Sequence, residues 1–182
     1  KSYVEGAMAL LLYCARLADI QSSPESPEEG QEAGVLLDNL LAADMLGACD
    51  VMIAKAVAYA GERRQFGRVI GSFQAVKHLC AEMAAEVEPA RSLVWYAAYA
   101  FDGAPQEASL MASHAKAHLS EIGRFVARTS TEVHGGMGIT DLLGLHFWFK
   151  RLGLGRQMFG GPERVRLTAA RVRAGRPARI RL

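Results

Sequence analysis

Three arginines and a glutamine fall close together at Arg63, Arg64, Gln65 and Arg68, around Phe66 and Gly67. Guanidinium and amide groups at a junction between helices offer planar donors of the kind that bind a diphosphate, with a fork that meets two oxygens at once. An exposed basic turn neutralised by Glu62 is the plainer reading of the same residues. A second cluster, Glu132, Val133, His134, Gly135, Gly136, Met137 and Gly138, is rich in glycine and follows a long helical pattern. Glycines there end a helix, permit positive φ and let backbone N–H groups approach a phosphate or an adenine. His114 and His118 share the spacing of one helical face, but no cysteine or carboxylate stands at ligand distance along the chain, so no metal site is expected.

The stretches that must position these residues read as helices. Residues 35–60 carry Leu37, Leu40, Leu41, Met45, Leu46 and Met52 largely at spacings of three and four, with Ala42, Ala43, Gly47 and Ala48 allowing close approach of a neighbour. Ser72 is expected to cap a long helix reaching residue 101, kinked at Pro89. Further helices are expected over residues 106–133, 142–152 and 163–173, and no stretch alternates with period two for long enough to make a strand. The whole reads as all-α, an antiparallel up-and-down helix bundle. Ahead of it, residues 1–20 form an extra helix and residues 21–34 a polar linker with prolines and glutamates; the bundle domain spans 35–174 and a basic tail 175–182. Residues 5–19 also align faintly with 88–102, as an internal repeat or as two alanine-rich helices that resemble each other by composition.

Composition narrows the function classes. Of 182 residues, 51% are hydrophobic and the formal charge is only +2, so neither disorder, nucleic acid nor a membrane surface is favoured. Cys14, Cys49 and Cys80 are odd in number and widely spaced, which fits a reducing, cytoplasmic setting. The start has no signal-peptide pattern, no apolar run is long enough to span a bilayer, and the missing initiator methionine fits a start inside a longer reading frame. The arginines from Arg164 onward are read as a solvated helix end favoured by the dipole rather than as a phosphate-binding patch.

The segment Arg63-Arg64-Gln65-Phe66-Gly67-Arg68-Val69-Ile70-Gly71-Ser72-Phe73-Gln74 resembles the R-x-Q-F-G-x-x-I-x-x-F-Q signature of acyl-CoA dehydrogenases. Ala115-Lys116-Ala117, followed by Glu132-Val133-His134-Gly135-Gly136-Met137-Gly138-Ile139-Thr140, is similar to that family's A-K-A and Q-[IV]-H-G-G-x-G-[YF]-T. The resemblance covers residues 35–174. It implies FAD as cofactor, with Arg63, Gln65, Phe66, Phe73 and Gln74 touching the flavin nucleotide of a neighbouring subunit and Glu132, Val133, His134, Gly135 and Gly136 shaping its adenine end. Glu132 departs from the usual glutamine and loses an amide donor.

The resemblance also locates a base, and there this sequence departs most. Counted without gaps, the family's Y-E-G-T-S-E falls on Met158-Phe159-Gly160-Gly161-Pro162-Glu163, so Phe159 occupies the position of the glutamate that removes the α-hydrogen while hydride leaves for the flavin. The alternative place for a base, on the first helix, holds Leu37, with Asp38 adjacent and Asp44 nearer Gly47; one helical residue turns a side chain by roughly 100°. Glu163 is expected in the first turn of a helix begun by Pro162 instead. His146, Lys150, Arg151 and Phe159-Gly160-Gly161-Pro162 suit the branch whose subunits lack the glutamate and pair with a subunit that has it.

The expectation is therefore the C-terminal domain of an FAD-dependent acyl-CoA dehydrogenase, without a catalytic residue of its own. It would act in a homo-oligomer, or in a heteromer with a glutamate-bearing subunit, on acyl-CoA, with electron-transferring flavoprotein as acceptor. The family's N-terminal helical and middle β domains are not among these residues. The alternative is a non-catalytic helical interaction module or gene-fusion remnant that binds no flavin.

Overall fold

The computed structural model of the protein describes residues 15–175. Five helices form an all-α bundle: α1 (Pro27–Glu62), α2 (Gln74–Gly103), α3 (Pro105–His134), α4 (Leu145–Gln157) and α5 (Pro162–Arg173). A shorter helical segment runs over residues 15–22. Cys14, the arginines of the tail beyond residue 175 and most of the aligned stretch 5–19 lie outside the described residues.

The stretch expected as a linker divides at Ser26. The Ser26 side chain accepts from the Glu29 N–H at 3.1 Å, Pro27 opens the helix and the Glu29 carboxylate reaches back to the Glu25 N–H at 2.7 Å. These are start signals of a helix, so α1 absorbs residues 27–34 and runs for 36 residues. Its first turns bury Ala33 and Leu37 against Leu17 of the preceding segment, and Val35 against Ala100, Ala108 and Ala112. Its later turns bury Met45, Cys49, Met52 and Ala56 in the main core. Different partners cover different sides along its length, so no single apolar stripe marks it.

α3 is the centre of the bundle and packs on α1, α2, α4 and α5. Ala112, Ala115, Leu119, Ile122 and Val126 give it buried faces on more than one side, and alanines there let neighbouring backbones approach. α2 continues through Pro89 without interruption and buries Met83, Val87, Ala90, Val94 and Ala97 at alternating steps of four and three, the seam of one face. α4 lies close enough on α1 that a Cβ added at Gly155 would sit 3.0 Å from Met45 Cγ. The Arg151 guanidinium also pairs with the Asp44 carboxylate through both its oxygens, donating from Nε to Oδ2 at 3.0 Å.

Two local expectations are corrected. Ser72 does not cap α2: its hydroxyl donates to the Val69 carbonyl at 2.7 Å, and Phe73 is the residue preceding the helix. A strand pair, short as it is, does exist. β1 (Arg64–Gln65) and β2 (Arg68–Val69) pair antiparallel around Phe66 and Gly67, with φ of 52° and 77°. Two successive positive φ values make the tight hairpin loop whose twist suits its strands. Turn chemistry built it, and strands of two residues leave no alternating pattern to find.

Candidate functional site

The two sequence clusters leave the bundle at the same end. Tyr59, near the end of α1, stacks on His134, the last residue of α3, with ring centroids 4.6 Å apart. One turn lower, the Ser130 hydroxyl donates to the Met52 carbonyl at 3.0 Å. The hairpin follows one of these adjacent helix ends and the glycine turn the other. Arg63, Arg64, Gln65, Phe66 and Arg68 are exposed, Phe66 to 92%, and Gln74 is exposed beside half-buried Phe73. Phe66 and Phe73 meet edge to face at 6.1 Å, and the Arg68 guanidinium lies over the Phe73 ring at 4.0 Å. One charged donor thus lies on an aromatic pair in an exposed turn that also carries Arg63, Arg64 and Gln65, whose amide donates to the Arg64 carbonyl at 2.7 Å.

The glycine cluster is only partly available. Glu132, Gly135 and Gly136 face solvent, but Val133 and His134 are buried, and His134 Nδ1 sits 2.7 Å from the Ser130 carbonyl. The donor at that distance is the ring N–H, since a carbonyl only accepts. Gly135 has φ of 57° and no atom within 4 Å of an added Cβ, which leaves open space above its backbone. Any contact from Val133 and His134 to a ligand would therefore be through their backbone.

The turn after α4 is built differently. Phe159 has φ of 53°, an uncommon conformation for a bulky residue, and its side chain is 37% exposed. Lys116, wholly buried in α3, donates from Nζ to the Met158 carbonyl at 2.7 Å and to the Gly160 carbonyl at 3.1 Å, bracketing Phe159. The same ammonium lies 3.4 Å from Asp38 Oδ1, while Ser113 Oγ approaches Asp38 Oδ2 at 3.5 Å. Burial raises the Asp38 carboxyl above its ordinary value, against the pull of Lys116 and its hydrogen bonds with Lys116 and Ser113. Burial likewise lowers the Lys116 ammonium, opposed by Asp38 and reinforced by repulsion from Arg164.

On the first helix, the position expected for a base and its neighbour part company here. Leu37 is 1% exposed, turned toward Leu17 and Ala33, whereas Asp38 faces Lys116. Asp44 is engaged with Arg151, and Glu163 lies in the first turn of α5, 3.4 Å from the Arg156 guanidinium. Sequence reasoning placed Lys116 inside a motif but missed its partners, since no local signal joins a lysine to carbonyls 42 and 44 positions away. Among the described residues, no three His, Cys, Asp or Glu side chains gather as a metal site, and His114 and His118 are exposed. No described helix is long and apolar enough to cross a membrane.

The two regions are far apart. Lys116 and His134 stand 18 residues apart on α3, about 27 Å at the helical rise of 1.5 Å per residue.

Comparison with known proteins fits this arrangement. Residues 39–173 match the family described as acyl-CoA dehydrogenase, C-terminal domain. The acyl-CoA dehydrogenase IpdE2 of Mycobacterium tuberculosis is 34% identical over 151 residues, covering 83% of this chain and 45% of that protein. The caffeyl-CoA reductase-Etf complex subunit CarC of Acetobacterium woodii is 37% identical over 98 residues, covering 54% of this chain and 26% of its own length. Among solved structures, a variant of the Tcur3481-Tcur3483 steroid ACAD superposes with a TM-score of 0.75 at 29% identity, covering 82% of this chain and 41% of that one. The chain thus spans less than half the length of these relatives. With residues 39–173 matching that family's C-terminal domain, the chain belongs to the acyl-CoA dehydrogenase family.

Proposed function

We propose that this chain is the C-terminal helical part of an FAD-dependent acyl-CoA dehydrogenase assembly, contributing nucleotide contacts and subunit packing while a related, glutamate-bearing subunit supplies the base. The observation that carries the reading is the separation of the two regions by about 27 Å along α3. A nucleotide on the hairpin of one chain is remote from residue 159 of the same chain, so a working site draws these two parts from different subunits. The wide uncovered face of α2, with Trp95 68% and Tyr99 61% exposed, supplies apolar area for such packing.

FAD, when bound, supplies the hydride acceptor of α,β-dehydrogenation. Toward it, Arg63 and Gln65 hold the phosphates as planar donors, Phe66 and Phe73 pack on the nucleotide, and Gln74 adds an amide. The open backbone at Gly135 and Gly136 borders the adenine end beside Glu132, Val133 and His134. Phe159 would give the acyl site an apolar wall and takes no proton, which supports reading this chain as one of the subunits without a glutamate. Acyl-CoA is the substrate of the assembly in this reading and electron-transferring flavoprotein its acceptor, as the Etf-complex name of the CarC relative suggests. The assembly works in the cytoplasm.

The test is co-expression with neighbouring dehydrogenase genes of the source genome, purification, and a scan for bound flavin. A yellow complex that reduces an acceptor dye when given acyl-CoA is expected. A colourless chain that captures no subunit overturns the proposal in favour of a helical interaction module or fusion remnant, a reading that the burial of Val133 and His134 side chains supports.

A further inference from the structure

Phe159 is bulky, left-handed and only partly covered, and nothing in its own side chain asks for that conformation. A β-carbon in the left-handed region crowds the following carbonyl, so an isolated turn of this sequence would relax. Glycine is the residue that accepts such a φ without strain, and Gly160, directly after it, already does so at 108°. Two things oppose relaxation: the Gly160 N–H donates to the Gln157 carbonyl at 3.3 Å, closing a tight turn over Met158 and Phe159, and a buried amine holds that turn from the bundle side. Lys116 Nζ reaches the carbonyl before Phe159 and the carbonyl after it, at 2.7 and 3.1 Å, and rotating the Phe159 backbone would turn these acceptors apart. The amine is itself held by Asp38, and Asp38 in turn by Ser113, so elements from α1 and α3 converge on one turn.

We infer that Lys116 is a positioning residue: clasped between Asp38 and the carbonyls of Met158 and Gly160, it forces residue 159 into the left-handed conformation and so sets the direction in which that side chain leaves the bundle. The direction belongs to the clasp and not to the identity of the residue, which is how a phenyl ring occupies a mount that strains it. Strain held at one exposed side chain by buried surroundings is the usual mark of a functional position. That the side chain meets an acyl thioester rests on the function proposed above; the clasp itself does not.

The experiment is a double-mutant cycle on the 182-residue chain, read by thermal unfolding and by NMR. The chains are wild type, Phe159→Gly, Lys116→Met and the double variant. In the wild-type background Phe159→Gly releases the strain and raises Tm by about 2–4 °C. In the Lys116→Met background the turn has already relaxed, so the same change gives no rise, and the two effects are non-additive. The amide–Hα coupling of Phe159 changes in Lys116→Met while those of the hairpin residues 64–69 do not, a readout that general loss of stability would not produce. If Lys116→Met fails to fold, Lys116→Gln serves the same cycle, since one shorter amide cannot hold both carbonyls. Additive effects, or an unchanged Phe159 coupling, overturn the inference. No flavin enters the cycle, so failure of the clasp and failure of the flavin assignment are separate outcomes.

Discussion

At the hairpin end, the residues from Arg63 to Arg68 are all exposed and are fixed chiefly by backbone pairing, whereas at the turn end one wholly buried lysine meets a carboxylate and two carbonyls. The hairpin turns its arginines outward, with the Gln65 amide donating to the neighbouring Arg64 carbonyl at 2.7 Å and Arg68 lying over Phe73. The turn satisfies its polar groups from within. Chemistry that awaits a ligand and chemistry that holds a shape use similar residue types, and burial separates them: an exposed arginine adds little to stability, while an unpaired charge in the interior is expensive.

Several changes would sharpen or break that contrast. Phe159→Glu in the assembled enzyme puts a carboxylate on the turn, and the proposed function expects deuterium exchange at the acyl α-carbon to rise by about 10²-fold or more at that site; no rise would show that the turn does not face the thioester. Lys116→Met strands the Asp38 charge and two carbonyls, and should lower the unfolding free energy by about 3–5 kcal/mol in urea titrations. Arg64→Ala in the hairpin should shift it by no more than about 0.5 kcal/mol. Comparable losses from both would erase the distinction between the two ends.

The pH response follows from the same buried pair. Because the Asp38 carboxyl is raised in the folded chain, the folded state keeps a proton that the unfolded state releases above its ordinary value of 3.8. Stability contributed by this group therefore falls as pH climbs from that value through the raised one. Lys116 is lowered, so the unfolded state holds the extra proton below 10.5, and its contribution recovers as pH approaches that value from below. Asp38→Asn should flatten the acid-side fall in urea midpoints measured across pH, and an unchanged slope would assign it to other groups. The smallest effect is at the thiols. Cys49, buried and beside Asp50, is pushed up to about 12, whereas Cys80 is half-buried and raised only by burial, so Cys80 should react first with a thiol-labelling reagent at neutral pH.

What the sequence made legible was local. The bundle followed from spacings of three and four, and the hairpin residues were readable because Arg63 to Gln74 is one continuous segment whose turn is specified by Phe66 and Gly67. The start of α1 was misread because a run of serine, proline and glutamate has the composition of a linker, although Ser26-Pro27-Glu28-Glu29 is also a helix N-terminus. The clasp was out of reach for another reason. Asp38 and Leu37 are neighbours in sequence, and only the packing of residues 15–22 on one side and α3 on the other decides that the leucine is covered and the carboxylate meets a lysine.

That covering segment has a practical side. Leu17 and Ile20 lie over Ala33, Leu36, Leu37 and Leu40 like a lid on the first turns of α1. A shortened chain begun at Pro27, where the longest helix starts, would open an oily strip at one tip of the molecule. Such a piece should express into the pellet or associate through that tip, and any oligomer it formed would report on the cut and not on the native assembly.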